Sequence, residues 1–225
     1  IKIIKMISVI IRCKNEERWI GHAVQSVLDH IDFPEIIIIN NKSTDDSINI
    51  VKQFIRDPNL KGSNKNYTNI KIINLDDYSP GKALNLGVEN ASKKHIMVLS
   101  AHCTLKKINL KKHIEDLEKY SGIFGKQNPI YFGKKIVRKY IWKHFIDSRV
   151  DNMFSDLEDR HFFHNAISFF KKKFLLKNKF NEAVTSKEDR YWAHDIVKKD
   201  LKYLYDPEIE ADHFYTKDGN TWKAF

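Results

Sequence analysis

Two adjacent carboxylates, Glu188 and Asp189, head a helical pattern in which Trp192, Ile196 and Val197 share one face. Acids at a helix start complement its dipole, and a carboxylate within hydrogen-bond reach of a hydroxyl can also take its proton. The two roles are compatible. Three polar segments, residues 12–16, 40–43 and 100–103, each follow an apolar run and carry hydrogen-bonding groups or charge: Arg12, Glu16, Asn40, Ser100 and His102. Such side chains at the exits of buried strands can read a polar ligand and face its negative charge.

The elements that must position these groups are legible from periodicity. Met6 to Ile11 and Ile36 to Ile39 are apolar runs of strand length, followed by strands at Ile70–Leu75 and His95–Leu99. Between them, Trp19, Ile20, Ala23, Val24, Val27 and Leu28 recur at helical spacing, and Ile48, Val51, Phe54 and Ile55 form a second face. Ser43 with Asp46 has the spacing of a capping box, and Pro80-Gly81 opens a third helix with Ala83, Leu84 and Val88. Residues 57–68 read as a loop. Successive strand–helix units predict an α/β fold, a mostly parallel twisted sheet with helices on both faces. In such sheets ligands sit outside the carboxyl ends of the strands, where the three polar segments fall. The second half reads as a helix over 108–120, a basic, aromatic helical stretch over 134–154, a strand over 161–170, a helix over 188–199 and a final strand over 201–205.

Composition bounds the rest. A chain of 225 residues with 42% hydrophobic residues holds one large α/β domain, and no apolar run approaches the ~20 residues of a membrane span. Two cysteines, Cys13 and Cys103, make neither a disulfide framework nor a four-sulfur zinc site, so reduced, cytoplasmic use is expected. The start at Ile1–Met6 reads as the lead-in to a strand rather than a signal peptide. The net charge of +10 follows in large part from lysine-rich composition, and it also favours anionic ligands or anionic lipid headgroups. There is no glycine-rich dinucleotide fingerprint and no phosphate loop, so a nucleotide must be gripped by strand-end side chains.

Four segments in order carry a resemblance. Ser8-Val9-Ile10-Ile11-Arg12-Cys13-Lys14-Asn15-Glu16-Glu17 resembles the opening strand and loop of family 2 glycosyltransferases, which have the GT-A fold. Glu35 to Asn40, followed by Asn41-Lys42-Ser43-Thr44-Asp45-Asp46-Ser47, is similar to that family's second strand and its acidic exit. Ser79-Pro80-Gly81-Lys82-Ala83-Leu84-Asn85-Leu86-Gly87 resembles its third helix, and Glu188-Asp189-Arg190 its acidic pair. Each segment alone is weak, but the order covers almost the whole chain. The resemblance implies a single GT-A-like domain over 1–225, with a donor half at 1–103 and an acceptor half at 104–225.

It further implies an inverting transfer of a sugar from a nucleotide-sugar donor, UDP-linked as the first choice, to a hydroxyl of a glycan or glycolipid. Asp189 would act as the base, with Glu188 as its alternative or as an acceptor ligand. Arg12, Cys13, Glu16, Asn40, Lys82, Ser100 and Ala101 would bind the donor nucleotide; His164, Asn165 and Trp192 would line the acceptor side. Trp192 also has the spacing of a core residue. The sequence departs from the family where Asp-x-Asp is usual: Leu99-Ser100-Ala101-His102-Cys103 has no carboxylate. Other GT-A enzymes use Asp-x-His with a later histidine, and that likeness pairs His102 with His213, with Asp212 nearby, in a Mn²⁺-type site. The alternative is a metal-independent site in which His102, Lys or Arg neutralises the leaving group.

The implied setting is the cytoplasm at the inner face of a membrane, in bacterial surface polysaccharide synthesis. The stretch Lys134 to Phe145 reads as a half-buried helix with a solvated basic face, or as a peripheral membrane contact beside a lipid-linked acceptor. A non-catalytic nucleotide-sugar-binding domain is the competing expectation. Nucleic acid is not an expected partner, because no recognised binding signature accompanies the charge.

Overall fold

The computed structural model describes residues 7–55, 69–136, 139–217 and 219–222. The loop read over 57–68 and the lead-in before Ile7 lie outside the described residues. The first strands are β1 (Ile7–Cys13), β2 (Glu35–Asn40), β3 (Asn69–Asn74) and β4 (His95–Ser100). Helices α1 (Ile20–His30), α2 (Ser47–Lys52) and α3 (Pro80–Asn90) alternate with them. Every residue of β2 is buried, as a continuous run of β-branched side chains requires when both sheet faces are covered.

Strand alternation sorts the core. Val9, Ile11, Ile36 and Ile38 pack with Ala23, Val24 and Val27 of α1 on one face. Ile10, Ile37 and Ile39 pack with Ala83, Leu84 and Val88 of α3 on the other. Burying each such side chain stabilises the fold by about 1.5–3 kcal/mol relative to exposure. Helix α3 begins where expected: Pro80 occupies the first turn, and the Ser79 hydroxyl accepts from the Lys82 amide at 3.1 Å. Helix α2 corrects the capping-box reading. Its N-cap is Asp46, with no side-chain cap, and the Asp46 amide, which a box would direct to Ser43, donates to Glu17 Oε2 at 3.0 Å.

The second half contains β5 (Cys103–Lys107), α4 (Leu110–Asp116), β6 (Ile123–Tyr131), β7 (Lys134–Lys135), β8 (Val150–Asp151), β9 (Phe154–Ser155), β10 (Arg160–His161), β11 (Ile167–Lys171), α5 (Lys172–Lys177), α6 (Glu188–Lys198) and β12 (Leu204–Phe214). The main sheet has ten strands, ordered β3-β2-β1-β4-β11-β6-β12-β5, with β7 on β6 and β8 on β12. It is parallel from β3 through β4, and β11 enters antiparallel to β4. Helices cover both faces, α6 joining α3 through Trp192, Ala193 and Ile196. Among the described residues, no helix is long and apolar enough to cross a membrane.

Three expectations change here. The helix over 134–154 is replaced by β7, β8 and a 3₁₀ turn at Tyr140–His144, because Tyr140 (φ 50) and Asn152 (φ 47) adopt left-handed backbone that an α-helix cannot absorb. The strand over 161–170 divides into β10 and β11, and the irregular segment 162–166 between them builds the site described below. The final strand, read over 201–205, begins at Leu204 and does not stop before Pro207. It continues to Phe214, the proline lying where the register against β6 shifts between Asp206 and Glu210.

Candidate active site

Parallel pairing places the exits of β1, β2 and β4 side by side, with Arg12 opposite Ser100 and Cys13 opposite Asn40. Against this edge the chain brings the start of α6 and the segment 162–166. A cavity of about 590 Å³ lies between them. Its walls include Arg12, Cys13, Glu16, Ser100, Ala101 and His102 from the strand exits, and His164, Asn165, Glu188 and Asp189 from the opposite side.

The acidic pair is held from several directions. Glu188 Oε1 accepts from the Arg12 guanidinium at 2.7 Å, and Arg12 also reaches the Pro80 carbonyl at 3.3 Å. Burial disfavours the Arg12 charge, but Glu188 outweighs it and holds the guanidinium protonated. Asp189 Oδ2 accepts from the Asn165 amide at 3.0 Å and from Arg190 at 3.1 Å; its Oδ1 accepts from the Arg190 amide at 2.9 Å. Burial pushes the Asp189 carboxyl up, yet the Arg190 charge, the Asn165 amide and the Arg12 charge together hold it below the usual carboxylate range. Asp189 is therefore ionised at neutral pH.

Arg190 is the hub of this wall. It donates to the Phe163 carbonyl at 2.7 Å, lies 4.2 Å over the Phe162 ring, and reaches both oxygens of Glu158 at 3.3 Å. Burial, then the neighbouring Arg190 charge, pushes His164 down to about 3, so its imidazole is neutral. Its Nδ1 accepts from the Ala166 amide at 3.2 Å, which leaves the proton on Nε2, 3.5 Å from the Thr221 hydroxyl.

Two histidines meet beneath the strand exits. The rings of His102 and His213 are 4.9 Å apart. His102 Nδ1 bonds Glu16 Oε1 at 2.8 Å, and His213 Nδ1 donates to Gln127 Oε1 at 2.8 Å. Both imidazoles are thus oriented by an oxygen on one nitrogen, the arrangement that presents the other nitrogen to a metal. His213 Nε2 is buried without a hydrogen-bond partner, and burial pushes the ring well below its ordinary value, so a neutral lone pair is available. The pair offers two candidate nitrogen ligands for a divalent ion. Asp212 does not join it, facing the other side of β12 where it accepts from Asn128 and lies 3.8 Å from Lys106.

A different trio, His113, Asp206 and Glu208, brings its ligand atoms within 4.8 Å of one another. Lys112 already bonds both of its carboxylates and Arg149 lies 3.3 Å from Asp206, so this is a charge cluster bracing β12.

Several expected residues stand away from the cavity wall. Asn40 is buried, donating to Asn74 at 2.9 Å and accepting from the Ser43 amide at 3.0 Å. The Lys82 ammonium turns to Asp77 at 2.6 Å. Trp192 is a core residue whose indole donates to the Asn178 carbonyl at 3.0 Å, and it packs among Phe163, Phe170 and Phe180. His213 sits behind the wall, edge-on to Trp142. Conversely, Tyr78, Glu158, Lys187 and Arg190 line the cavity without having been anticipated. Arg190 had a signal, a cation directly after two acids. Glu158 had none, since only the β9–β10 pairing carries it inward.

The sequence profile described as glycosyl transferase family 2 matches residues 8–178. Minor teichoic acid biosynthesis protein GgaA of Bacillus subtilis (strain 168) is 26% identical over 221 residues, covering 94% of this chain and 47% of that protein. A dolichyl N-acetyl-alpha-D-glucosaminyl phosphate 3-beta-D-2,3-diacetamido-2,3-dideoxy-beta-D-glucuronosyltransferase of Methanococcus voltae is 29% identical over 135 residues, 55% of this chain and 40% of that one. The chain spans less than half the length of either relative. Among solved structures, S. aureus TarS 1-349 in complex with UDP-GlcNAc aligns with a TM-score of 0.69 at 16% identity, over 98% of this chain and 61% of that one. The same protein in complex with UDP aligns at 0.66 and 17% identity, over 94% and 61%. These alignments are likenesses of fold. The chain is a glycosyltransferase fold of the GT-A type and belongs to glycosyl transferase family 2.

Proposed function

We propose that this chain transfers a sugar from a nucleoside diphosphate donor, UDP-linked, to a hydroxyl of a glycan or lipid-linked acceptor, with inversion at the anomeric carbon. One observation carries the reading: Glu188 and Asp189 open α6 in the same cavity as the exits of β1 and β4. The S. aureus TarS complex with UDP-GlcNAc makes that donor the first to try. The relatives' names, one for teichoic acid synthesis and one for a dolichyl phosphate acceptor, support a cell-surface polymer or glycolipid as product. Such chemistry would run in the cytoplasm, at the inner face of a membrane.

Asp189 would accept the acceptor's proton. A carboxylate held ionised is always in the accepting form, and weak basicity suffices because the attacking oxygen becomes acidic only as its new bond forms. Arg12 fixes Glu188 beside it, where the second carboxylate can orient the acceptor hydroxyl. Arg12, Lys14 and Lys187 supply positive charge to a diphosphate. His102 and His213 would hold a Mn²⁺-type ion, whose chemistry is to neutralise the departing diphosphate.

The test is incubation of the purified chain with UDP-GlcNAc and a panel of GDP-, dTDP- and CMP-sugars, following nucleotide release and product configuration by NMR. Release with an inverted anomer supports the reading. Binding of a nucleotide sugar with no release from any donor, even with Mn²⁺ and acceptor extracts, would leave a non-catalytic binding domain.

A further inference from the structure

The hairpin joining β6 to β7 is built against the preferences of its own turn. Tyr131 pairs with Lys134, leaving a two-residue loop, Phe132-Gly133, in which both residues have positive φ, 46° and 78°. A turn of that type favours Asn or Gly at both positions, and a bulky aromatic in left-handed backbone is disfavoured. Phe132 is nevertheless placed there with 66% of its surface exposed. Its ring is not alone: Tyr131 lies 4.7 Å away and Tyr215 5.5 Å away, making an aromatic shelf at the tip. Tyr131 is itself 41% exposed.

Charge surrounds the shelf. Lys134, Lys135 and Lys217 are exposed beside it. Residues 129–146 contain four lysines and one arginine and no acidic residue. The shelf also borders the cavity, because Thr221 lines the cavity and the next residue, Trp222, packs on Tyr215 and Tyr131 with ring separations of 5.6 and 6.3 Å.

We propose that the Phe132 hairpin docks the chain on an anionic lipid bilayer, the aromatic tip entering the headgroup layer while Lys134, Lys135 and Lys217 meet acidic headgroups. Exposed aromatics gain from the interfacial region, and lysines near an acidic leaflet add attraction that salt screens. A soluble polyanion would satisfy the lysines and leave the aromatic tip in water. The docking stands on the surface alone. Its purpose rests on the transfer reading above, since a docked rim would open the cavity towards an acceptor anchored in the bilayer.

The experiment is vesicle co-sedimentation of the full chain, with phosphatidylcholine alone and with phosphatidylcholine containing phosphatidylglycerol, at low and high salt. Binding is expected only to the anionic vesicles and is expected to weaken in high salt. Lys134→Gln with Lys135→Gln should weaken it about thirtyfold. Phe132→Ser should weaken it about tenfold. Because Phe132 is exposed, its replacement should leave the thermal midpoint and donor turnover unchanged.

Three results would overturn the proposal: no vesicle binding, vesicle binding undiminished in both variants, or binding that soluble polyphosphate reproduces and Phe132→Ser does not weaken. Donor turnover measured alongside keeps the two readings apart. Turnover without vesicle binding sinks the docking alone, and vesicle binding without turnover sinks the transfer alone.

Discussion

Arg12, at the exit of β1, donates to Glu188, at the start of α6, across 2.7 Å and 176 residues of chain. This contact ties the strand-exit wall to the acidic wall, and it is mostly buried: the side chains are 22% and 7% exposed. Removing one partner of such a pair strands the other without compensation, at a cost of about 3 kcal/mol. Arg12→Leu should therefore lower the denaturant midpoint markedly and raise the apparent Kd for the nucleotide. Arg12→Leu combined with Glu188→Leu should recover most of the stability but not the binding. Additive losses in that double-mutant cycle would show that the pair does not act as a unit.

Asp189→Asn keeps the shape of the acidic wall and removes the proton acceptor. Transfer should fall by about 10³-fold, within the usual range for a general base, while UDP binding by calorimetry stays within about threefold of wild type. The carboxyl sits below its usual range, so activity is present above that depressed value and is lost only as pH falls through it. The acid limb of the rate profile should thus lie below that of an ordinary aspartate. Near-normal turnover of the asparagine variant would remove Asp189 from the mechanism.

Glu158 shares Arg190 with Asp189. Glu158→Gln should leave Arg190 with Asp189 as its nearest carboxylate, concentrate its charge there and lower the Asp189 carboxyl further. The groups facing Asp189 are Arg190, His164, the Asn165 amide and Arg12, and the one further acid acting on Arg190, Glu188, does so more weakly than Glu158, so it offsets only part of the change. The acid limb should move to lower pH and the plateau rate should drop several-fold, following the weaker base. Glu158→Asp should restore part of both. A plateau drop with no movement of the limb would mean Glu158 acts on folding or binding instead.

Gly81 stands at the first turn of α3, where an added Cβ would lie 2.2 Å from the Asn181 carbonyl oxygen. That oxygen is backbone and cannot rotate away, so Gly81→Ala should destabilise by about 1–3 kcal/mol. The neighbouring Pro80 carbonyl holds Arg12, so nucleotide affinity should fall with stability. An unchanged melting temperature would show that the 181–182 segment yields easily.

The parallel half was legible because three buried strands, the half-exposed edge strand β3 and three helices each follow one period, and the ligand edge follows from where those strands end. Glu188-Asp189 was legible because acids adjoining an apolar helical face stand out. The mixed half was not. Its strands β5 and β6 alternate weakly, and Pro207 inside β12 reads as a terminator until the shift against β6 shows it at an irregularity. Asn40 illustrates the limit for single residues: its exit position was read correctly, but its carboxamide turns to Asn74 and Ser43 rather than the cavity. Periodicity gives a residue's place along a strand and leaves open which partner its side chain finds.

His213 Nε2 is the unpaired buried nitrogen that makes a metal test decisive. The His213 imidazole, neutral and locked by Gln127, lies 4.9 Å in ring separation from the His102 ring that Glu16 orients, and ring nitrogens are ligands that Mn²⁺ accepts more readily than Mg²⁺. Calorimetry of UDP binding should show about a tenfold gain with Mn²⁺ and a smaller one with Mg²⁺. His213→Ala should erase the gain, and Gln127→Leu should reduce Mn²⁺ affinity about 10–100-fold by freeing the ring it orients. UDP affinity that ignores Mn²⁺ in wild type, together with transfer that survives exhaustive EDTA, would instead make the site metal-independent. Neutralisation of the leaving group would then fall to Arg12, Lys187 and His102, and His102→Ala would impair transfer while His213→Ala would not.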